Sequence, residues 1–159
     1  MLQNSVSFIT TVYRYGCGLL RELYMNEINV DELFAEARKA AEFAYAPYSK
    51  FRVGAALLCE DGTIVTGVNV ENRSFGLTIC AERNAICAAA AKGYRRFLAL
   101  AISTPDSVEP VGPCGACRQV MGEFMTAEIP VRFAGSGKNQ VNSTVGELLP
   151  FDSLHELRK

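Results

Sequence analysis

The stretch Pro113-Cys114-Gly115-Ala116-Cys117-Arg118-Gln119, together with Cys80-Ala81-Glu82-Arg83, decides how the rest of this chain is read. The two stretches offer three thiols, with a carboxylate and an arginine close to the first of them. Thiolate sulfur is a preferred ligand of Zn²⁺, which takes four ligands in a structural site but only three protein ligands plus water in a catalytic one. A fourth protein ligand would have to be Cys87, the nearest remaining cysteine. If the stretch is helical, Cys87 lies about 10 Å along the axis from Cys80. Two sulfurs on one tetrahedral zinc sit roughly 4 Å apart. Cys87 is therefore a poor ligand, and the pattern predicts one zinc held by Cys80, Cys114 and Cys117, with Glu82 beside it.

Chain-wide properties agree with a small globular protein. The 159 residues make one domain's length, with 49% hydrophobic and 21% charged residues. A net charge of −1 and the lack of a basic run argue against nucleic acid or an anionic membrane as a partner. No apolar run reaches the ~20 residues that span a bilayer. The six cysteines are grouped as metal motifs and scattered singles, which reads as a reducing, cytoplasmic setting rather than a disulfide scaffold. The one histidine, His155, leaves little room for a Ser-His-Asp or Cys-His mechanism.

Residues 1–24 are read as an extension outside the core, and residues 25–159 as the domain. The extension is either a loosely attached arm or a stretch ahead of a start at Met25. It lacks the basic lead-in and cleavage site of a signal peptide, and Cys17 within it has no assigned role. Apolar residues at helical spacing predict a helix over 29–45, stopped by Pro47. A strand over 51–59, an Asp61-Gly62 turn and a return strand over 63–70 form a hairpin. Cys59 is read as a core thiol. A helix over 80–92 ends at Gly93. A buried strand over 97–103, a helix from near Cys114, a strand over 130–134 and a short strand over 141–143 follow. Thr144-Val145-Gly146-Glu147 has capping-box spacing and opens a short helix before Pro150. The order predicts an α/β three-layer sandwich: a mixed sheet of about five strands with helices on both faces.

Cys-Ala-Glu-Arg followed by Pro-Cys-Gly-x-Cys-Arg-Gln resembles the small, homotetrameric cytidine deaminases with an all-cysteine zinc site. The wider zinc deaminase group carries His-x-Glu where this chain has Cys80-Ala81-Glu82. The resemblance extends from about Asn29 to Leu149. It implies the same α/β fold, one Zn²⁺ per chain and hydrolytic deamination of cytidine and deoxycytidine to uridine and deoxyuridine, a step of pyrimidine salvage. It assigns proton transfer to Glu82. It assigns Arg83 to hydrogen bonding of the ligand sulfurs, which would drain charge from three thiolates, and the alternative there is a surface arginine. It assigns Asn69 and Glu71 to the 3′-hydroxyl of the nucleoside sugar, the alternative being a solvated strand end. It assigns Phe51 to the cytosine pocket, the alternative being core packing, and Ala81 to the substrate-binding set. By itself Glu82 would read as an acid favouring a helix N-terminus; beside the cysteines it reads as the proton carrier. Two further readings share the metal motifs: a deaminase of a cytosine-nucleoside antibiotic such as blasticidin S, and a non-catalytic structural zinc module. Asn69-Val70-Glu71 favours the cytidine reading. One departure from the family is the C-terminal region. Leu148-Leu149-Pro150 is followed at once by Phe151, where the family carries its site-closing aromatic a few residues later.

Overall fold

The computed structural model describes residues 29–152. The expectations for residues 1–24, Cys17 and His155 lie outside the described residues. In chain order the elements are α1 (Val30–Ala41), β1 (Gly54–Cys59), β2 (Ile64–Val68), a 3-10 turn (Phe75–Leu77), α2 (Ala81–Ala91), β3 (Phe97–Ser103), α3 (Gly115–Phe124), β4 (Pro130–Ala134), β5 (Gln140–Thr144) and α4 (Val145–Leu148). The five strands form one sheet in the order β2-β1-β3-β4-β5. Only the β3–β4 pair is parallel; β1–β2, β1–β3 and β4–β5 are antiparallel.

Helices cover both faces, as the sequence predicts. Successive strand residues point to opposite faces. Ala55, Leu57 and Cys59 of β1 join Leu100, Ile102 and Val131 in a core closed by Ala85, Ile86 and Ala89 of α2 and by Cys117 and Met121 of α3. The other face carries small residues: Gly54, Ala56 and Ala101 are all buried. Their size lets α1 lie almost on the strands. A β-carbon at Gly54 would stand 2.0 Å from the Ala37 carbonyl oxygen and 2.5 Å from the Ala41 nitrogen.

The topology sets where the chemistry collects. β2 and β3 are both antiparallel to β1, so they run parallel to each other. Both β2-α2-β3 and β3-α3-β4 are therefore crossovers, each advancing in the same direction across the sheet. Crossovers of one hand moving in one direction lay their helices on the same face. The N-termini of α2 and α3 thus start above the same edge of the sheet, outside the carboxyl ends of β2 and β3, where open α/β sheets place ligands.

Local signals explain most boundaries. Gly93 takes φ +94°, and the bonds Tyr94 N–H to Ala89 O (3.1 Å) and Gly93 N–H to Ala90 O (3.0 Å) close α2 with a Schellman motif. Both bonds of the capping box are present at Thr144 and Glu147. The strand expected over 51–59 begins at Gly54 and the return strand expected over 63–70 ends at Val68; the largest difference is in the first helix. The helix predicted to run to Tyr45 ends at Ala41. Tyr45 instead donates to the Asn69 carbonyl (3.0 Å) and accepts from the Glu71 amide (2.8 Å). Its backbone is committed to the strand end carrying Asn69 and Glu71, and a helical turn could not make those bonds.

Candidate metal centre and active site

Cys80 is the N-cap residue of α2 and Cys114 that of α3. Neither side chain caps its own helix, so both thiols are left to face elsewhere. They face each other: Cys80 Sγ lies 3.9 Å from Cys114 Sγ, although 34 residues separate them. Cys117, one turn into α3, places its sulfur 3.6 Å from that of Cys114. All three sulfurs lie within 4.8 Å of one another. A tetrahedral ion with Zn–S bonds of about 2.3 Å needs sulfurs roughly 4 Å apart, so this donor set fits zinc. Among the described residues no fourth Cys, His, Asp or Glu joins the group. Cys87 is exposed on α2 and stands apart from it.

The thiols are already unequal. A hydrogen bond from Cys117, aided by others from Arg83 and Cys114, holds the Cys80 thiol down at about 5 against its partial burial. Donating to Cys80, together with burial, pushes Cys117 up. Arg83 Nη2 is 3.5 Å from Cys80 Sγ and also donates to the Thr78 carbonyl (3.2 Å). Its Nε is buried and has no acceptor among the described residues. Arg118 is held by two backbone carbonyls. Its Nε donates to the Pro113 carbonyl (2.8 Å) and its Nη1 to that of Leu148 (3.1 Å), bracing the loop that enters Cys114.

Glu82 occupies the first turn of α2 and is only 4% exposed. Burial pushes its carboxyl above the ordinary carboxylate range, and the nearby Cys80 charge adds to this, while a hydrogen bond from Cys117 works against it. A buried carboxyl in contact with the thiol cluster is placed to take up and return protons. Such displaced titrations concentrate at functional sites. Ala81 beside it is fully buried.

Asn69 and Glu71 are both buried, and they do something the sequence did not reveal. They grip the segment that leads into β1. Asn69 Nδ2 donates to the Phe51 carbonyl (2.8 Å), and its Oδ1 accepts from the Val53 amide (2.8 Å). Glu71 Oε2 accepts from the amides of Tyr48 (2.9 Å) and Ser49 (3.3 Å), and Oε1 accepts from the Ser49 hydroxyl. These bonds, the Ser49 hydroxyl first, hold the Glu71 carboxyl below its usual range. Half-buried Phe51 is fixed at the middle of the gripped segment. The next residue, Arg52, clasps Asp106 through two side-chain bonds (2.6 and 3.0 Å) and its amide (2.8 Å). Sequence reasoning missed Ser49 and Asp106. A serine two residues before an aromatic in a Pro-led turn is a weak signal, and the partner of Arg52 lies 54 residues away.

Phe151 is fully exposed at φ +63°. Cys59 is a core thiol, as expected, and burial raises it to about 11.

Residues 28–132 match the family model described as the cytidine and deoxycytidylate deaminase zinc-binding region. Among curated proteins, the cytidine deaminase of Sporosarcina psychrophila is 50% identical over 123 residues, covering 77% of this chain and 90% of the relative. That of Halalkalibacterium halodurans is 49% identical over 118 residues, covering 74% and 89%. Among solved structures, the cytidine deaminase from Burkholderia pseudomallei superposes with a TM-score of 0.73 at 45% identity, covering 76% of this chain and 96% of that one. The matched span contains the three-thiol cluster and Glu82, and so this chain belongs to the cytidine and deoxycytidylate deaminase family of zinc-binding proteins.

Proposed function

We propose that this chain hydrolyses the exocyclic amine of cytidine and deoxycytidine, releasing ammonia and leaving uridine and deoxyuridine. The observation that carries the reading is a three-thiol cluster fit for zinc with the buried Glu82 carboxyl against it. Three protein ligands are the mark of a catalytic rather than a structural zinc. Zinc held there supplies the Lewis acidity that makes water nucleophilic near neutral pH. Glu82 takes the proton of the water that adds to C4 and delivers it to N3. A second transfer through the same carboxyl reaches the departing amine nitrogen. Burial favours the protonated form of Glu82 and so suits it to donate. Arg83, donating to Cys80, withdraws charge from the sulfurs.

Substrate recognition rests on counting unused bonds. A carboxylate accepts at about four positions. The described residues fill both on Glu71 Oε2 and one on Oε1, leaving one acceptor position. An Asn amide offers two donors, and one of those on Asn69 remains after Phe51 is served. One acceptor beside one donor is the complement of a hydroxyl, which gives one proton and takes another. This supports the 3′-hydroxyl assignment, shared by cytidine and deoxycytidine, with Phe51 and Ala81 lining the base pocket. A site built for a hydroxyl rejects a ligand that lacks it, by up to about 10⁴, so free cytosine is a very poor substrate. Of the two basic residues flanking Phe51, Arg52 is committed to Asp106 and Lys50 interacts with the charge of Glu71, which supports weak turnover of CMP.

The same proposal includes assembly and setting. Tyr45, Val70 and Ile79 are bridged neighbours and exposed, and Tyr48 packs its ring edge on exposed Phe75. So much apolar surface in one region marks a contact between proteins; here it supports a homotetramer of this chain. The proposal also includes a cytoplasmic location and a role in pyrimidine salvage. No helix among the described residues is long and apolar enough to cross a membrane. The test is the ultraviolet absorbance of cytidine incubated with purified protein, beside deoxycytidine, cytosine and CMP. Ready turnover of the two nucleosides is expected, with cytosine and CMP far slower. Light scattering of the active protein should give the mass of four chains. Equal kcat/KM for CMP and cytidine would refute the pocket reading.

A further inference from the structure

The Ser49 hydroxyl stands at a junction. Its oxygen accepts from the Phe51 amide (3.0 Å), and its single proton goes to Glu71 Oε1. Phe51 N–H, Ser49 O–H and the Glu71 carboxylate thus form one oriented chain of bonds. Between Ser49 and Phe51 lies Lys50 at φ +60°, a left-handed conformation that is uncommon for any residue but glycine. Its amide is anchored on the Ala46 carbonyl (3.1 Å). The hydroxyl therefore spans the kink, from the residue before it to the residue after it. It also takes one of the two acceptor positions on Oε1, which restricts where another hydroxyl can bind.

We infer that Ser49 is a positioning and specificity-determining residue. It aims the one remaining acceptor position of Glu71 at a ligand hydroxyl and holds Phe51 against the pyrimidine at the same time. This rests on the nucleoside reading of the site given above. It also couples the two halves of the ligand, because one side chain sets both the hydroxyl acceptor and the ring wall. Removing the Ser49 hydroxyl would leave Oε1 with two acceptor positions, release the Phe51 amide and slacken the Lys50 kink. The sulfur cluster and Glu82 sit on α2 and α3 and share no hydrogen bond with Ser49 among the described contacts. The loss should therefore fall on ligand recognition rather than on the chemical step.

The test compares wild type, Ser49→Ala and Ser49→Thr on cytidine and on 3′-deoxycytidine. Thr keeps a hydroxyl able to give and take the same bonds. A hydrogen bond to a charged group is worth about tenfold in affinity. In Ser49→Ala, kcat/KM for cytidine is expected to fall about tenfold or more through KM. The loss on 3′-deoxycytidine should be smaller, so the preference between the two substrates narrows. Ser49→Thr should recover most of the KM and the preference. Equal losses on both substrates, a loss confined to kcat, or no loss would each overturn the inference while leaving the deaminase reading intact. Absence of cytidine turnover in zinc-loaded wild type would overturn both. If Ser49→Ala melts too early to assay, the Thr variant decides: an unrestored preference with normal melting overturns the inference.

Discussion

Gly67 of β2 lies directly against the backbone of Ala85 in α2. A β-carbon there would stand 2.3 Å from the Ala85 nitrogen and 2.5 Å from the Ala81 carbonyl oxygen. This contact sets how far the first turn of α2, with Cys80 as its cap and Glu82 within it, stands from the sheet. Backbone atoms cannot step aside as a flexible side chain can. Gly67→Ala must lift the helix, at an overpacking cost of ~1–3 kcal/mol. Differential scanning calorimetry should show Tm lowered by roughly 5–10 °C. Activity should fall as well, because the lifted turn takes Cys80 away from Cys114. Unchanged Tm would mean that α2 is not seated on Gly67.

The Cys114 sulfur lies 3.9 Å from that of Cys80 and 3.6 Å from that of Cys117. Cys114→Ala should therefore lose bound metal, with zinc per chain dropping from one toward zero by elemental analysis of reduced, zinc-replete protein. A variant that kept a full zinc would show that the three sulfurs do not share an ion.

Glu82→Gln preserves size and can still hydrogen-bond, but it cannot carry a proton between water, N3 and the amine. Zinc content and melting should stay near wild type, while kcat falls by about 10²–10⁴ or more. Loss beyond a single transfer is expected because one carboxyl serves several. A variant keeping a tenth of wild-type turnover would contradict the assignment.

The Arg52–Asp106 clasp predicts a pH dependence. The Arg52 side chain and amide hold the Asp106 carboxyl down from 3.8 to about 2. A folded-state value below the unfolded one stabilises the fold above the unfolded value and is lost as pH falls through the folded value. Wild type should thus be more stable than Asp106→Asn in urea at pH 6, with the gap closing between pH 4 and 2. Loss of metal in acid is common to both proteins and cancels in the difference. A gap constant from pH 6 to pH 3 would show that the carboxylate charge contributes nothing to the clasp.

Much of this protein could be read from residue order. The metal chemistry was legible because thiolates at Cys80, Cys114 and Cys117 have few other uses together, and because Cys87 stands too far along a helix to join them. Element types were legible wherever a local rule governs them: the Gly93 stop, the Thr144–Glu147 box and the buried run of β1 depend on neighbours in sequence. Three matters were decided by tertiary structure alone. The 34-residue separation of Cys80 and Cys114 closes to 3.9 Å because β2 and β3 run parallel and both crossovers lay their helices on one face. Helix α1 stops at Ala41, four residues short of Tyr45, because the Tyr45 backbone is paired with Asn69 and Glu71, some 24 residues onward. Asn69 and Glu71 spend most of their hydrogen bonds on the segment from Tyr48 to Val53, which alternation along a strand does not reveal. In each case the physical reason is the same. A local pattern specifies what a residue can bond to, whereas the partner it meets depends on strand direction and crossover hand, which are properties of the assembled sheet.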